Sequence, residues 1–249
     1  MSIKQYIPKR LKNFLWFLLK SPQRKWIGYS SIFTDLRGYL SVVFKRREYA
    51  RISVCVGVKN RSYNLVEYVV RSLNKCEFRG MIELSVYDCG SDDLPDLGAV
   101  LSRAWKGNLI YKRVEQDFAR SVAFNAAVEQ ATGPYILVCD ADMSIPSDIL
   151  SKVCRYCSPY SAWFPKVWYS GERGGGRLYT ESTGMFAARK VDFMKTGGYD
   201  ERIREWGKED WLLYFEFYKK GIACRRTEEP EFIHHYHPSL KPDNFEPLF

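Results

Sequence analysis

From Arg51 onward, short apolar runs alternate with stretches of helical spacing, and this alternation restricts the chain to few architectures. Residues 52–58, 82–88, 109–113 and 135–139 read as strands. Helical patterns lie near 65–73 and over 122–131, the second ended by Thr132-Gly133-Pro134. A β-α-β-α-β-α-β order joins its strands by crossovers and implies a parallel, doubly wound sheet. The second half is less regular, with an aromatic strand near 162–169, a strand over 183–188 and a helix near 210–219. The loop 171–177 between them carries three consecutive glycines, which suits either a lid over a substrate or a surface turn. With 249 residues, the chain is long enough for one large α/β domain and short for two.

The composition, 46% hydrophobic and 27% charged, excludes long disorder. The net charge of +9 is unevenly placed: residues 1–51 hold 12 Lys and Arg against Asp35 and Glu48, while the rest hold 26 against 27 acids. A basic segment on a near-neutral body suits an anionic membrane surface rather than a nucleic-acid duplex, and no nucleic-acid-binding module accompanies it. The segment is patterned. Ile3, Ile7, Leu11, Phe14, Leu15 and Leu18 recur at helical spacing beside Lys4, Lys9, Lys12 and Lys20. Leu36, Tyr39, Leu40, Val43 and Phe44 repeat the logic ahead of Lys45, Arg46 and Arg47. Basic amphipathic helices of this kind lie in a membrane interface; packing against the body or a partner is the alternative. No run approaches the roughly 18 apolar residues of a span. The expected organisation is a membrane-associating segment, 1–50, ahead of one α/β domain, 51–249. Of seven cysteines, Cys154 and Cys157 form one C-x-x-C without a second pair, which points to reduced thiols in a cytosolic setting rather than to zinc.

The most informative segment runs from Phe118 to Pro146. A strand there ends in Asp140-Ala141-Asp142, and ligands of open α/β sheets bind at the carboxyl ends of strands. Residues i and i+2 of an extended segment face the same way, so both carboxylates are expected to reach one cation. Hard carboxylate oxygens suit Mg²⁺ or Mn²⁺, which bridges to a diphosphate. All three histidines fall within residues 234–237, and such clustering favours a site.

Residues 52–61, Tyr87-Asp-Cys-Gly-Ser-Asp92 and Asp140-Ala-Asp142 resemble the N-terminal half of glycosyltransferase family 2. Phe118-Ala-Arg-Ser-Val-Ala-Phe-Asn125, Gly184-Met-Phe-Ala-Ala188, Gly197-Gly-Tyr-Asp-Glu201, Trp206-Gly-Lys-Glu-Asp210 and His234-His-Tyr-His237 resemble the β-1,4-galactosyltransferase family. The resemblance covers roughly residues 52–238. It implies the GT-A fold, a Rossmann-like, doubly wound, mostly parallel sheet, here behind a basic amphipathic helical extension. It also implies an inverting transferase that uses Mn²⁺ or Mg²⁺ and a UDP-sugar donor of the Gal or GalNAc type. The acceptor would be a glycan or lipid-linked oligosaccharide at the inner face of the membrane.

By that resemblance Asp142 ligates the metal, with His237 as first and His234 as second choice, and Asp140 contacts ribose or metal. Phe118 and Arg120 match positions that hold uridine and phosphates, where an aromatic face stacks on uracil and a guanidinium forks onto phosphate. Asp88 matches the nucleotide-contacting acid. The family's usual Asp-Asp-Gly-Ser is Asp88-Cys89-Gly90-Ser91 here, leaving Asp92 as the substitute second acid. An inverting transferase needs a carboxylate to deprotonate the acceptor hydroxyl; Asp210 takes that role and Glu209 the acceptor contact. Trp211 stands where the family carries another acid, so the acceptor side is this chain's own. A sugar nucleotidyltransferase would need a glycine-rich phosphate loop after the first strand, which Val56-Gly-Val-Lys-Asn-Arg61 lacks. A non-catalytic scaffold would have lost the carboxylates that Asp140, Asp142, Glu209 and Asp210 retain.

Overall fold

The computed structural model describes residues 31–46, 48–204 and 208–237. The amphipathic stretch expected at 3–18, together with Glu205, Trp206 and Gly207, lies outside the described residues. Helix α1 (Ser31–Val43) precedes strand β1 (Ile52–Val58). Helix α2 follows over residues 62–73, its middle, Leu65–Val70, in π geometry between the turns Ser62–Asn64 and Arg71–Leu73. Then come β2 (Ile82–Asp88), α3 (Leu97–Ala104), β3 (Asn108–Arg113), α4 (Arg120–Gln130), β4 (Tyr135–Val138) and the two-residue β5 (Met143–Ser144). The second half contains α5 (Ile149–Tyr156), β6 (Ser161–Ser170), β7 (Gly176–Tyr179), β8 (Phe186–Arg189), α6 (Lys190–Thr196), α7 (Glu209–Lys219) and β9 (Ala223–His234).

The strands form one sheet in the order β3-β2-β1-β4-β8-β6-β9-β5, with β7 paired to β6. The first four are parallel, as the βα alternation requires. β8 joins β4 antiparallel, β6 runs parallel to β9, and β5 pairs antiparallel with the end of β9. The expected loop 171–177 is the turn of the β6–β7 hairpin; Arg177 already pairs with Tyr169.

Side chains alternate between two cores, the period-2 rule acting on strands covered on both faces. Val54, Val56, Leu84, Leu137 and Trp163 point into a core with Leu65 and Val69 of α2, Leu97 of α3 and Val153 of α5. Cys55, Tyr87, Ile136, Phe164 and Phe186 point into the other, against Phe124 of α4, Phe193 of α6 and Phe217 of α7. Helix α4 comes very close to β1: a Cβ added to Gly57 would lie 2.5 Å from Ala123 Cβ. The seven cysteines are buried singly, without disulfides, and burial raises the Cys55, Cys139 and Cys224 thiols out of the reactive range.

Two polar side chains, partly buried Asn125 and buried Glu83, tie loops to this frame. Asn125 Nδ2 donates to Tyr199 O and Glu201 Oε1, both at 2.9 Å, while Tyr199 N donates back to Asn125 Oδ1. This locks the segment Gly197–Glu201 onto α4. Glu83 accepts from Ser53 Oγ at 2.7 Å, from Thr132 N at 2.8 Å and from the Thr132 hydroxyl, closing the turn that ends α4. Burial raises the Glu83 carboxyl, but the hydrogen bonds from Ser53 and Thr132 outweigh it and hold the group below its ordinary range. Glu83→Gln is therefore expected to lower stability near neutral pH by about 1–2 kcal/mol. A depressed folded pKa gives stability that is present above the unfolded pKa and lost as pH falls through the folded one. The difference in melting temperature between wild type and Glu83→Gln should accordingly shrink in acid.

Candidate active site

The carboxyl ends of the parallel strands and the last turn of β9 converge on one group of polar side chains. Pairing of β5 with β9 sets Met143 opposite His234, and His235 N donates to Asp142 O at 2.9 Å. Asp142 is thereby held beside the histidines: His237 Nε2 lies 2.9 Å from its Oδ2 and His234 Nε2 3.4 Å from its Oδ1. One donor atom from each of Asp142, His234 and His237 fits within 4.8 Å of the others. His235 is turned away, stacked at 3.7 Å on Tyr68 and hydrogen-bonded through Nε2 to Ser144 Oγ. Alternation separates 234 from 235, and because the strand ends at His234 the irregular residues 235–237 bring His237 back to the carboxylate.

These residues fit a divalent cation. The Oδ1 atom of Asp142 is buried, and among the described residues none donates a hydrogen bond to it. A buried carboxylate oxygen without a hydrogen bond, here with only His234 Nε2 at 3.4 Å, is costly unless a cation or donor completes it. Burial raises the Asp142 carboxyl, but the hydrogen bond from His237 and the electrostatic influence of the two imidazoles outweigh it, and the group stays below its usual range. Arg61 Nη2 lies 3.1 Å from His237 Nδ1. A guanidinium only donates, so Nδ1 accepts and the ring proton sits on Nε2, facing Asp142. Ligation through Nε2 would require that proton to move to Nδ1 and the Arg61 guanidinium to give up its hydrogen bond there. The His234 ring is fixed by stacking on Tyr169, with centroids 4.3 Å apart.

Asp140 does not join this cluster. The chain leaves β4 at Val138 and turns at 141–142, so the strand alternation that would aim both carboxylates at one cation no longer applies. Asp140 Oδ1 instead accepts from Arg120 Nε and Nη2, each at 3.2 Å. Arg120 is the hub of a second group. Its Nη1 donates to Glu209 Oε1 at 3.0 Å, its Nη2 to Gly184 O at 2.6 Å, and its plane lies over the Phe124 ring. The expected diphosphate fork is not what Arg120 presents, because two carboxylates and a carbonyl already converge on it. Burial disfavours its charge, but Asp140, Tyr199, Glu209 and Asp210 outweigh that and keep it protonated. Gly184 packs tightly beside it: an added Cβ would lie 3.0 Å from Arg120 Nη2.

Glu209 and Asp210 open α7, where the helix dipole favours acids, yet their surroundings differ. Glu209 is buried, held by Arg120 and by the Lys208 N–H at 2.9 Å. It is therefore enclosed rather than presented to an acceptor. Asp210 is half-buried and accepts from Trp211 N at 2.8 Å and from Thr183 Oγ1 at 3.0 Å. Burial raises the Asp210 carboxyl above its ordinary range; Arg120 opposes this and neighbouring Glu209 adds to it. A largely buried, still accessible carboxylate with a raised pKa is what general-base work calls for.

Asp88 is fully buried and its carboxylate is engaged. It accepts from Ser91 N at 2.8 Å, from Tyr111 Oη at 2.7 Å and from Arg113 Nη1 at 3.3 Å, which fixes the turn Cys89–Ser91. Asp92 is exposed, its N–H bonded to Asn60 Oδ1. Phe118 is 43% exposed. Sequence reasoning missed Thr183, Gly184, Arg61 and Tyr169, whose places here depend on contacts between distant segments. Gly184 and Arg61 carried a signal, as the first and last residues of motifs that resemble known families.

Residues 53–229 match the family described as Glycosyl transferase family 2. The chain is similar to chondroitin sulfate synthase 3 of Mus musculus, 26% identical over 53% of this chain and 17% of that protein. It is also similar to chondroitin sulfate N-acetylgalactosaminyltransferase 1 of Homo sapiens, 22% identical over 79% of this chain and 42% of that protein. The chain thus spans less than half the length of these relatives. Among solved structures, S. aureus TarS 1–349 in complex with UDP matches with a TM-score of 0.59 and 16% identity, over 76% of this chain and 61% of that one. The mannosyltransferase PcManGT from Pyrobaculum calidifontis, in complex with GDP-Man and Mn²⁺, matches with a TM-score of 0.57 and 16% identity, over 84% and 66%. The shared fold is the GT-A arrangement expected from the sequence.

Proposed function

This chain belongs to glycosyl transferase family 2, and on that premise we propose that it is an inverting, metal-dependent glycosyltransferase. It moves a sugar from a UDP-sugar to a hydroxyl of a membrane-associated glycan, at an anionic membrane surface, in polysaccharide synthesis. The observation that carries this reading is the Asp142, His234 and His237 cluster, with its buried, unbonded Asp142 Oδ1. These three residues would hold Mn²⁺ in preference to Mg²⁺, because two imidazole nitrogens suit a transition ion better than an oxygen-seeking one. The bound ion would neutralise charge on the departing diphosphate.

The protein's own groups do the rest. Asp210 accepts the proton of the attacking hydroxyl, its raised pKa matching that task. Thr183 and the Trp211 N–H fix the carboxylate's orientation. Arg120 holds Asp140 and Glu209 in place, and Asp140 at the strand end would contact the ribose of the donor. Phe118 offers its exposed face to uracil, and Asp88 acts through the Cys89–Ser91 turn that it shapes. A Gal or GalNAc donor is supported by the relatives whose names specify N-acetylgalactosamine and by the β-1,4-galactosyltransferase resemblance of the C-terminal half.

A donor screen tests the reading. Purified protein with Mn²⁺ should release UDP slowly from UDP-GalNAc or UDP-Gal in the absence of acceptor. UDP release from neither sugar, under conditions where the protein is folded and Mn²⁺ is bound, would overturn the donor assignment.

A further inference from the structure

Helix α1 is amphipathic in the reverse of the usual sense. Its buried positions are Ser31, Asp35 and Gly38. Asp35 Oδ1 accepts from Tyr218 Oη of α7 at 2.7 Å, and Arg37 Nη2 donates to Gly221 O at 2.6 Å. A Cβ added to Gly38 would lie 2.5 Å from Ala223 Cβ, so the helix axis sits close against the start of β9. Ser41 Oγ meets Ser158 Oγ at 2.6 Å. The helix is therefore docked through polar and small groups.

Its opposite side is apolar and faces outward. Phe33 and Phe44 are 79% and 80% exposed, and Leu36, Leu40 and Val43 lie between them, also exposed. At about 100° per residue these five fall within one arc of roughly 100°. A surface helix ordinarily buries such a stripe, and a contiguous exposed one marks an interaction surface.

Charge identifies the occupant. Within residues 1–51 the 12 Lys and Arg face only Asp35 and Glu48, and Asp35 is buried in its bond to Tyr218. The apolar stripe belongs to a segment whose sequence carries this excess of cations, the composition of a helix that lies in an anionic lipid interface. A second copy is a poor fit, since pairing through this helix would bring two chains of like net charge together.

We propose that Phe33, Leu36, Leu40, Val43 and Phe44 form a lipid-inserting surface that seats the domain on an anionic bilayer. The proposal deepens the membrane-surface part of the function proposed above and is independent of the chemistry at Asp142 and Asp210. Helix α1 packs at Ala223 and the histidine cluster lies at His234, so the two occupy opposite ends of β9.

The test uses the full chain and vesicles of phosphatidylcholine with or without phosphatidylglycerol. Wild type should sediment with the anionic vesicles, less so at high salt. The triple variant F33S/L40S/F44S should partition roughly tenfold more weakly or worse, with unchanged Mn²⁺-dependent UDP release. Phe44→Cys gives a second measurement. It adds a single exposed thiol to a protein whose seven cysteines are buried, and an environment-sensitive dye placed there should shift to the blue on anionic vesicles. Equal sedimentation of triple variant and wild type would overturn the proposal. So would a wild type that stays in the supernatant, a dye signal indifferent to vesicles, or a wild-type dimer that the triple variant converts to monomer. Loss of UDP release with sedimentation intact would count against the catalytic reading instead.

Discussion

Replacing Asp210 by Asn is expected to slow sugar transfer by about 10²–10⁴-fold, the usual cost of losing a general base, without unfolding the protein. Asn keeps an oxygen for the Trp211 N–H, and the Thr183 hydroxyl can turn to accept from its amide. The stability effect has a defined sign. Burial, with Glu209 adding to it, raises the Asp210 carboxyl in the folded state. A raised folded pKa gives stability that is present below the unfolded pKa and lost as pH rises through the folded one. At neutral pH the ionised carboxylate thus opposes folding, and Asp210→Asn should melt at the same temperature as wild type or higher. A purely structural acid at a helix start would give the opposite result. The transfer rate of wild type should also rise with pH through the elevated Asp210 pKa, and this limb should vanish in the variant. Wild-type transfer by Asp210→Asn would move the base elsewhere, with Glu181 the next carboxylate to test.

Glu209→Gln separates the neighbouring acid from this role. Glu209 is enclosed by Arg120, so its substitution acts through the guanidinium and its other partner, Asp140. Stability and donor binding should both fall, where Asp210→Asn leaves them intact.

Much of the frame was legible in the sequence. The limits of β1 and β2 follow from apolar runs buried on both faces, a signal that needs no tertiary context. The helix implied between the second and third strands is α3. Other features depended on packing between distant segments. The periodicity of Leu36 to Phe44 shows that a stripe exists, but only the fit of Gly38 against Ala223 turns it outward. The D-x-D spacing suggests a carboxylate pair, yet the turn after β4 sends Asp140 to Arg120 and Asp142 to the histidines. The choice among three histidines rested on spacing alone, and the two-residue β5 that decides it is too short for any periodicity to reveal. Arg120 read as a phosphate ligand because its charge was visible, whereas its partners, Glu209 and the Gly184 carbonyl, lie far along the chain.

The cation site carries the second large effect. Asp142→Ala should reduce Mn²⁺-dependent UDP release about 10²-fold or more, since charge neutralisation at a leaving diphosphate is worth several kcal/mol. The fold should survive, because the backbone bond from His235 N to Asp142 O does not involve the side chain. His237→Ala should weaken Mn²⁺ binding in the same direction, while His235→Ala, which faces Tyr68 and Ser144, should leave it unchanged. Calorimetric titration of UDP into the protein tests the claim most directly. UDP should bind in the presence of Mn²⁺, lose that binding in a chelator, and fail to bind Asp142→Ala at any Mn²⁺ concentration that saturates the wild type. UDP binding of equal strength with chelator, or to Asp142→Ala, would contradict the assignment of Asp142, His234 and His237 as the cation site that holds the donor.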